Sequence, residues 1–237
     1  MQQEDTANPR RPMQKVGDIL IVFAPILILG ISGTAIGLET ALGAALVNLG
    51  YVAGILAGGW VLNRRGSNWR EIGLRRPDNW LRTILQGVGA FVAAIVVIIV
   101  TELIVTNIPG LRLPAPDVTR FDALESNLPF LIIGLIGAWT TIAFGEELFY
   151  RAFLVTRIQQ IFARSSLANW LAIIFAGAIF GVAHFAEGPV GIATNGAFGI
   201  LFGWIYLRSK QNLWITLIAH GLLNTIRFVL VYSGLTG

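Results

Sequence analysis

The sequence predicts an all-α, polytopic membrane bundle of about seven transmembrane helices. Three observations carry that prediction. The 237 residues are 55% apolar and only 13% charged, with a mean hydropathy of +0.71, against about 25% charged residues in an ordinary soluble domain. Seven separate stretches are apolar over the roughly 20 residues that a helix needs to cross a hydrocarbon core of about 30 Å. The connections between them alternate in basic content, as the positive-inside rule requires. So few charges cannot cover the surface a soluble chain of this length exposes. The composition excludes a soluble enzyme, a disordered chain and a nucleic-acid binder, despite a net charge of +4 and a pI near 10. With no cysteine, a disulfide framework, a thiolate nucleophile and cysteine-based zinc or iron–sulfur sites are excluded as well.

The elements follow in order. Residues 1–15 (MQQEDTANPRRPMQK) are polar, hold two prolines and are expected to form a disordered cytoplasmic tail. Spans are expected at 17–38, 41–63, 80–107, 128–150, 168–186, 190–207 and 212–234. The first is too long for a signal peptide and lacks a small-residue cleavage site. Arg10, Arg11 and Lys15 lie in the tail, six arginines lie in 64–82, and Arg157 with Arg164, then Arg208 with Lys210, follow on the same side. The links at 38–41 and 186–190 carry no basic residue, and 108–127 carries Arg112 and Arg120 among three acids. The N-terminus is therefore expected in the cytoplasm and the C-terminus outside.

Segment 64–82 (RRGSNWREIGLRRPDNWLR) reads as a basic interfacial loop or short amphipathic helix, with membrane lipid a sufficient partner for its charge. The proline-bearing stretch 108–127 reads as an outer loop. It separates an N-terminal three-helix membrane region, 16–127, from a C-terminal four-helix region, 128–237, in which the polar residues gather. The glycine-rich run 50–59 and the pair Gly199 and Gly203 read as close helix packing.

Beyond residue 127 the ionisable residues within apolar sequence are few: Glu146, Glu147, Arg151, His184, His220 and Arg227. A charge at the centre of a membrane helix costs about 2.5–3.5 kcal/mol on insertion scales, and such residues face the bundle interior and mark function. Both histidines of the chain fall in these spans. Glu147 and Arg151 are one helical turn apart and suit an ion pair, which leaves Glu146, turned about 100° away, free for other work. His220 and Asn224 share a face, as do Phe180 and His184. Glu187 reads as a solvated loop acid, and Arg227 as the partner of a carbonyl or an acid near the outer end of the seventh span. Counting from the turn near Ser165 brings Glu146 and His184 to similar height. For His220 to join them, the fourth helix must enter the interface at about 150–157 or the seventh must tilt.

These residues resemble the CAAX protease and bacteriocin-processing family of intramembrane proteases, also called the ABI family. Its pattern of E-E-x-x-x-R, F-x-x-x-H and H-x-x-x-N or H-x-x-x-D on successive helices is matched by Glu146-Glu147-Leu148-Phe149-Tyr150-Arg151, by Phe180 to His184 and by His220 to Asn224. Many members carry glycine after the motif arginine, where this chain has Ala152. The resemblance implies peptide-bond hydrolysis within the membrane, with 128–237 as the catalytic core. It implies Glu146 as the base that activates water, His184 as its helper, His220 and Asn224 as oxyanion donors, and Glu147–Arg151 as a structural pair. The family's substrates imply a peptide or protein partner, lipidated as in prenylated CAAX proteins or carrying a leader peptide.

The residues alone agree with that chemistry. Serines lie mostly in loops and cysteine is absent, so water is the nucleophile. A divalent metal such as zinc is compatible with the sequence but not demanded by it. In a metal reading Glu146, His184 and His220 are ligands and Glu147 is the base; in a metal-free reading Glu146 and His184 hold the water while His220 and Asn224 form the anion hole. Two other functions compete: a proton- or ion-coupled transporter built on the same intramembrane charges, and a non-catalytic immunity or scaffold protein that retains the pocket.

Overall fold

The computed structural model of the protein describes residues 10–37, 40–110, 124–162 and 165–235. Every regular element among them is helical. Seven helices are long and apolar enough to cross a membrane: α1 (Pro12–Ile36), α2 (Ala41–Arg64), α3 (Trp80–Thr106), α4 (Leu128–Ile161), α5 (Ser166–Ala183), α6 (Phe185–Arg208) and α7 (Leu213–Tyr232). The protein is an integral, multi-pass membrane protein.

Side chains are sorted by size as lipid dictates. Large apolar residues such as Ile28, Leu56, Leu103 and Ile133 point outward, while the buried face of α2 is built from Gly43, Gly50, Gly54 and Gly58 with Val61 and Leu62. Tails of lipid are as apolar as leucine, so helices associate where small residues let backbones approach. The α5–α6 contact follows the same logic. A Cβ added to Gly199 would lie 2.8 Å from the Cα of Gly177, so the close packing expected at that glycine is present. Caps are supplied by short polar side chains: Thr40, Asn79, Asn127, Ser165 and Asn212 each accept a backbone N–H at a helix start.

Two boundaries differ from the expectation. Helix α1 reaches back to Arg10, so the end of the expected 1–15 tail is helical; residues 1–9 lie outside the described residues. Lys15 donates to the carbonyl of Gln160 at 2.8 Å. Helix α4 continues through the expected 151–167 connection to Ile161. Arg157 is therefore not a loop charge: it is 5% exposed and lies 3.6 Å from Asp18 of α1, which also pairs with Arg65 at 2.8 Å. The charge of Asp18 is what lets Arg157 stay inside a helix that the sequence appears to end. Most of the expected outer loop 108–127, with Arg112 and Arg120, and also Arg164, lie outside the described residues.

The basic segment after α2 is a turn-rich strap fastened to the protein rather than a free interfacial helix. Ile72 and Gly73 are buried. Tyr206 donates to the carbonyl of Ile72 at 2.8 Å, Trp214 to that of Arg75 at 2.9 Å, and Arg75 to that of Lys210 at 2.9 Å. Trp69 turns inward against Phe153, with ring centroids 6.2 Å apart. Arg64, Arg65, Arg70, Arg75 and Arg76 remain exposed.

Candidate functional site

Helix α4 is not uniform. Ala138–Ala143 and Glu147–Val155 form π-helical turns on either side of a short α-helical piece, Phe144–Glu146. Wide turns of this kind are uncommon and recur at functional sites. Every residue from Glu147 to Val155 is buried, so this is the part of α4 enclosed by the other helices.

The two glutamates project there and share one imidazole. His220 Nδ1 is 2.9 Å from Glu147 Oε1, and His220 Nε2 is 3.6 Å from Glu146 Oε2. The three residues are 5%, 0% and 6% exposed respectively. Glu146 is thus not independent of its neighbour, as an ideal α-helix would suggest, because His220 connects them. The ion pair of Glu147 with Arg151 is present at 3.3 Å. The Arg151 guanidinium lies over the rings of Phe180, Phe198 and Phe202 at 4.5, 5.3 and 5.4 Å, whose faces help hold a buried cation.

His184 caps the C-terminus of α5 and is half-buried. Its Nδ1 is 2.8 Å from the carbonyl of Phe180. A carbonyl only accepts, so this contact assigns the hydrogen to Nδ1 and leaves Nε2 of the neutral ring as an acceptor. No hydrogen bond or ion pair joins His184 to Glu146, His220 or Asn224 among the described residues. The two histidines share Phe180 as a neighbour, with ring centroids 4.6 Å from His184 and 6.4 Å from His220. Phe180 also packs edge-on to Tyr150 at 4.9 Å. That contact sets the register of α4 against α5: one turn onward from Phe180 is His184, and one turn back from Tyr150 is Glu146. The similar height expected for the two agrees with this register.

Asn224 lies one turn beyond His220 on α7, and its Nδ2 is buried with no hydrogen-bond partner among the described residues. Glu146 Oε2 is buried and equally without a hydrogen bond. Nearby, Gly221 lets Trp139 lie flat on α7: an added Cβ would stand 2.5 Å from the indole, whose Nε1 donates to Thr225 at 3.0 Å. Glu187 is not a solvated loop acid. It is buried, 3.5 Å from Arg227 and accepting from Asn195 at 3.1 Å, so Arg227 does find an acid as its partner.

One residue of the site escaped sequence reading. Tyr51 of α2 donates its hydroxyl to Glu146 Oε1 at 2.7 Å, and its ring stacks on Phe149 at 5.9 Å. The available signal was a hydroxyl in mid-span among glycines, which in lipid needs a partner.

A metal requires a convergent donor set. Among the described residues no group of three His, Cys, Asp or Glu side chains is arranged to hold one: Glu146 and His220 approach each other, and no hydrogen bond or ion pair joins His184 to either. The arrangement of Glu146, His184 and His220 as zinc ligands does not fit this geometry.

The charges balance without one. Glu146, Glu147 and Arg151 sum to a single negative charge, and a burial this complete favours neutrality. One further proton makes the set neutral. Held by His220, whose Nδ1–H faces Glu147, it gives Nε2 a hydrogen to donate and leaves Glu146 a carboxylate able to accept a proton from elsewhere.

Residues 128–226 match the family described as type II CAAX prenyl endopeptidase Rce1-like. No curated protein and no solved structure matches the chain. The matched range is similar to the family that the three motifs resemble, and it contains Glu146, Glu147, Arg151, His184, His220 and Asn224 but not Tyr51. In general terms the match supports a CAAX-type intramembrane protease, which implies a peptide substrate and a membrane environment.

Proposed function

We propose that this chain, similar over residues 128–226 to CAAX prenyl endopeptidases, hydrolyses a peptide bond within the membrane using water activated by Glu146. The observation that carries the reading is the buried contact of Glu146 Oε2 with His220 Nε2 at 3.6 Å, in a set of charges that one further proton neutralises.

The contacts described above support the following roles. Glu146, as carboxylate, takes a proton from water as the oxygen attacks the scissile carbonyl. His184, with Nε2 free to accept, helps orient that water. His220 receives Nδ1 support from Glu147 and donates from Nε2 to the developing oxyanion; the Nδ2 of Asn224 is the second donor. Collapse of the tetrahedral intermediate breaks the C–N bond, and Glu146 returns its proton to the leaving amine. Arg151 pairs with Glu147 and so helps keep the imidazole oriented. The region 128–237 supplies these groups and is the catalytic core in this reading. The substrate class is a prenylated C-terminus, on the strength of the family match.

The test is cleavage of a farnesylated CAAX peptide by purified protein in lipid, with products read by mass spectrometry. Release of the C-terminal tripeptide is expected, and Glu146→Ala or His184→Ala should abolish it while leaving an inserted, folded protein. Cleavage at the wild-type rate in either variant would overturn the assignment.

A further inference from the structure

We propose that Tyr51 is a positioning residue for this reaction: its hydroxyl holds one oxygen of Glu146 so that the other is presented to His220 and the substrate water. The proposal rests on Glu146 being the base, as argued above.

A glutamate carboxylate is symmetric and sits at the end of rotatable bonds, so nothing intrinsic decides which oxygen faces the reacting groups. Here the two are made different. Oε1 accepts from the Tyr51 hydroxyl at 2.7 Å, whereas Oε2 is buried, makes no hydrogen bond among the described residues and is the oxygen 3.6 Å from His220 Nε2. A hydrogen bond to an ionised acceptor is short and strong, and this one comes from a helix outside the region matched by the family.

The phenol is itself fixed. Its ring stacks on Phe149, three residues after Glu146, with 24° between planes. It also lies directly against Gly145, where an added Cβ would be 2.7 Å from Tyr51 Cδ1. Gly145 thus gives α2 access to α4 beside the base, and the ring cannot turn away without losing both contacts. Were the hydroxyl only stapling α2 to α4, its loss would affect stability and leave the reaction's individual constants alone.

The experiment measures kcat and KM on a farnesylated CAAX peptide for wild type, Tyr51→Phe, Glu146→Asp, the Tyr51→Phe/Glu146→Asp double variant and Glu146→Gln. Phenylalanine keeps the ring and its packing. Tyr51→Phe is expected to lower kcat about tenfold or more with KM nearly unchanged. In Glu146→Asp the shorter side chain withdraws the carboxylate from the hydroxyl, so adding Tyr51→Phe should cost less than about twofold. Equal losses in both backgrounds, an effect on KM alone, or wild-type kcat in Tyr51→Phe would overturn the proposal. Should Tyr51→Phe fail to fold, Gly145→Ala provides the second arm: it crowds the ring, leaves the hydroxyl intact and should show the same kcat-only loss, while an unchanged kcat overturns the proposal. Glu146→Gln separates the two levels. If it is inactive while Tyr51→Phe behaves as wild type, only the role of Tyr51 falls; if it cleaves normally, the reading of Glu146 as base falls too.

Discussion

Each nitrogen of the His220 ring faces a different glutamate, at 2.9 Å and 3.6 Å. Glu147 also pairs with Arg151 at 3.3 Å, which suits the orienting role proposed for it, while Glu146 is hydrogen-bonded only through Oε1 among the described residues. Asn224 extends the same face of α7 with a buried amide nitrogen that has no hydrogen-bond partner among the described residues. Buried donors ordinarily find partners, and a donor held for a transition-state oxygen is one physical reason for an exception. Asn224→Ala is therefore expected to reduce kcat about 10²–10³-fold, the usual cost of removing one oxyanion donor, with KM little changed. Steady-state kinetics on a prenylated peptide check this, and a loss confined to KM would assign Asn224 to substrate binding.

At the scale of elements, glycines decide which helices meet. Gly199 faces backbone, since an added Cβ would be 2.8 Å from Gly177 Cα, while Gly89 has nothing within 4 Å. Gly199→Ala should lower the thermal midpoint of the detergent-solubilised protein, because the α5–α6 backbones must separate. Gly89→Ala should leave the midpoint unchanged or raise it slightly, by the roughly 0.5–1 kcal/mol that alanine gains over glycine in a helix interior. Equal effects of the two would contradict the packing account. Spans of this kind are legible in sequence because length and hydropathy alone define them, and the Gly199 contact is legible because small residues have few other uses in a membrane helix. The end of α4 was not legible. Arg157 looks like the start of a cytoplasmic loop, and only the distant Asp18 makes it tolerable inside. The π-helical turns leave no local signature, and the angle between Glu146 and Glu147 on one helix does not show that the two nitrogens of a single imidazole on another can face both.

Across the whole molecule, the N-terminal helices are fastened to the C-terminal four at three levels. Asp18 joins Arg65 and Arg157 near one end, Tyr51 reaches Glu146 in the middle, and the strap at Ile72–Arg75 is bonded to α6 and α7 by Tyr206 and Trp214. The Arg65 guanidinium, hydrogen-bonded by Asp18, titrates above its ordinary value, so it stays charged until pH rises beyond the normal guanidinium range and adds no acid-side pH dependence. The motif residues of the site were readable because both histidines and the paired glutamates have no bland reason to lie in apolar sequence. Tyr51 was not, because no spacing in the sequence links a residue of α2 to one on α4, 95 positions away. A division at residue 127 places Tyr51 and the Glu146 carboxylate that it donates to on opposite sides of the boundary.

The central claim is that Glu146 of α4 and His220 of α7 act as one unit, and a double-variant cycle measures it most directly. Rates of peptide cleavage are compared for wild type, Glu146→Gln, His220→Ala and the combination, in protein shown to be folded. The account predicts that each single change removes nearly all activity and that the combination is no worse than the more damaging single change. Losses that multiply, or a single variant that turns over like wild type, would contradict it.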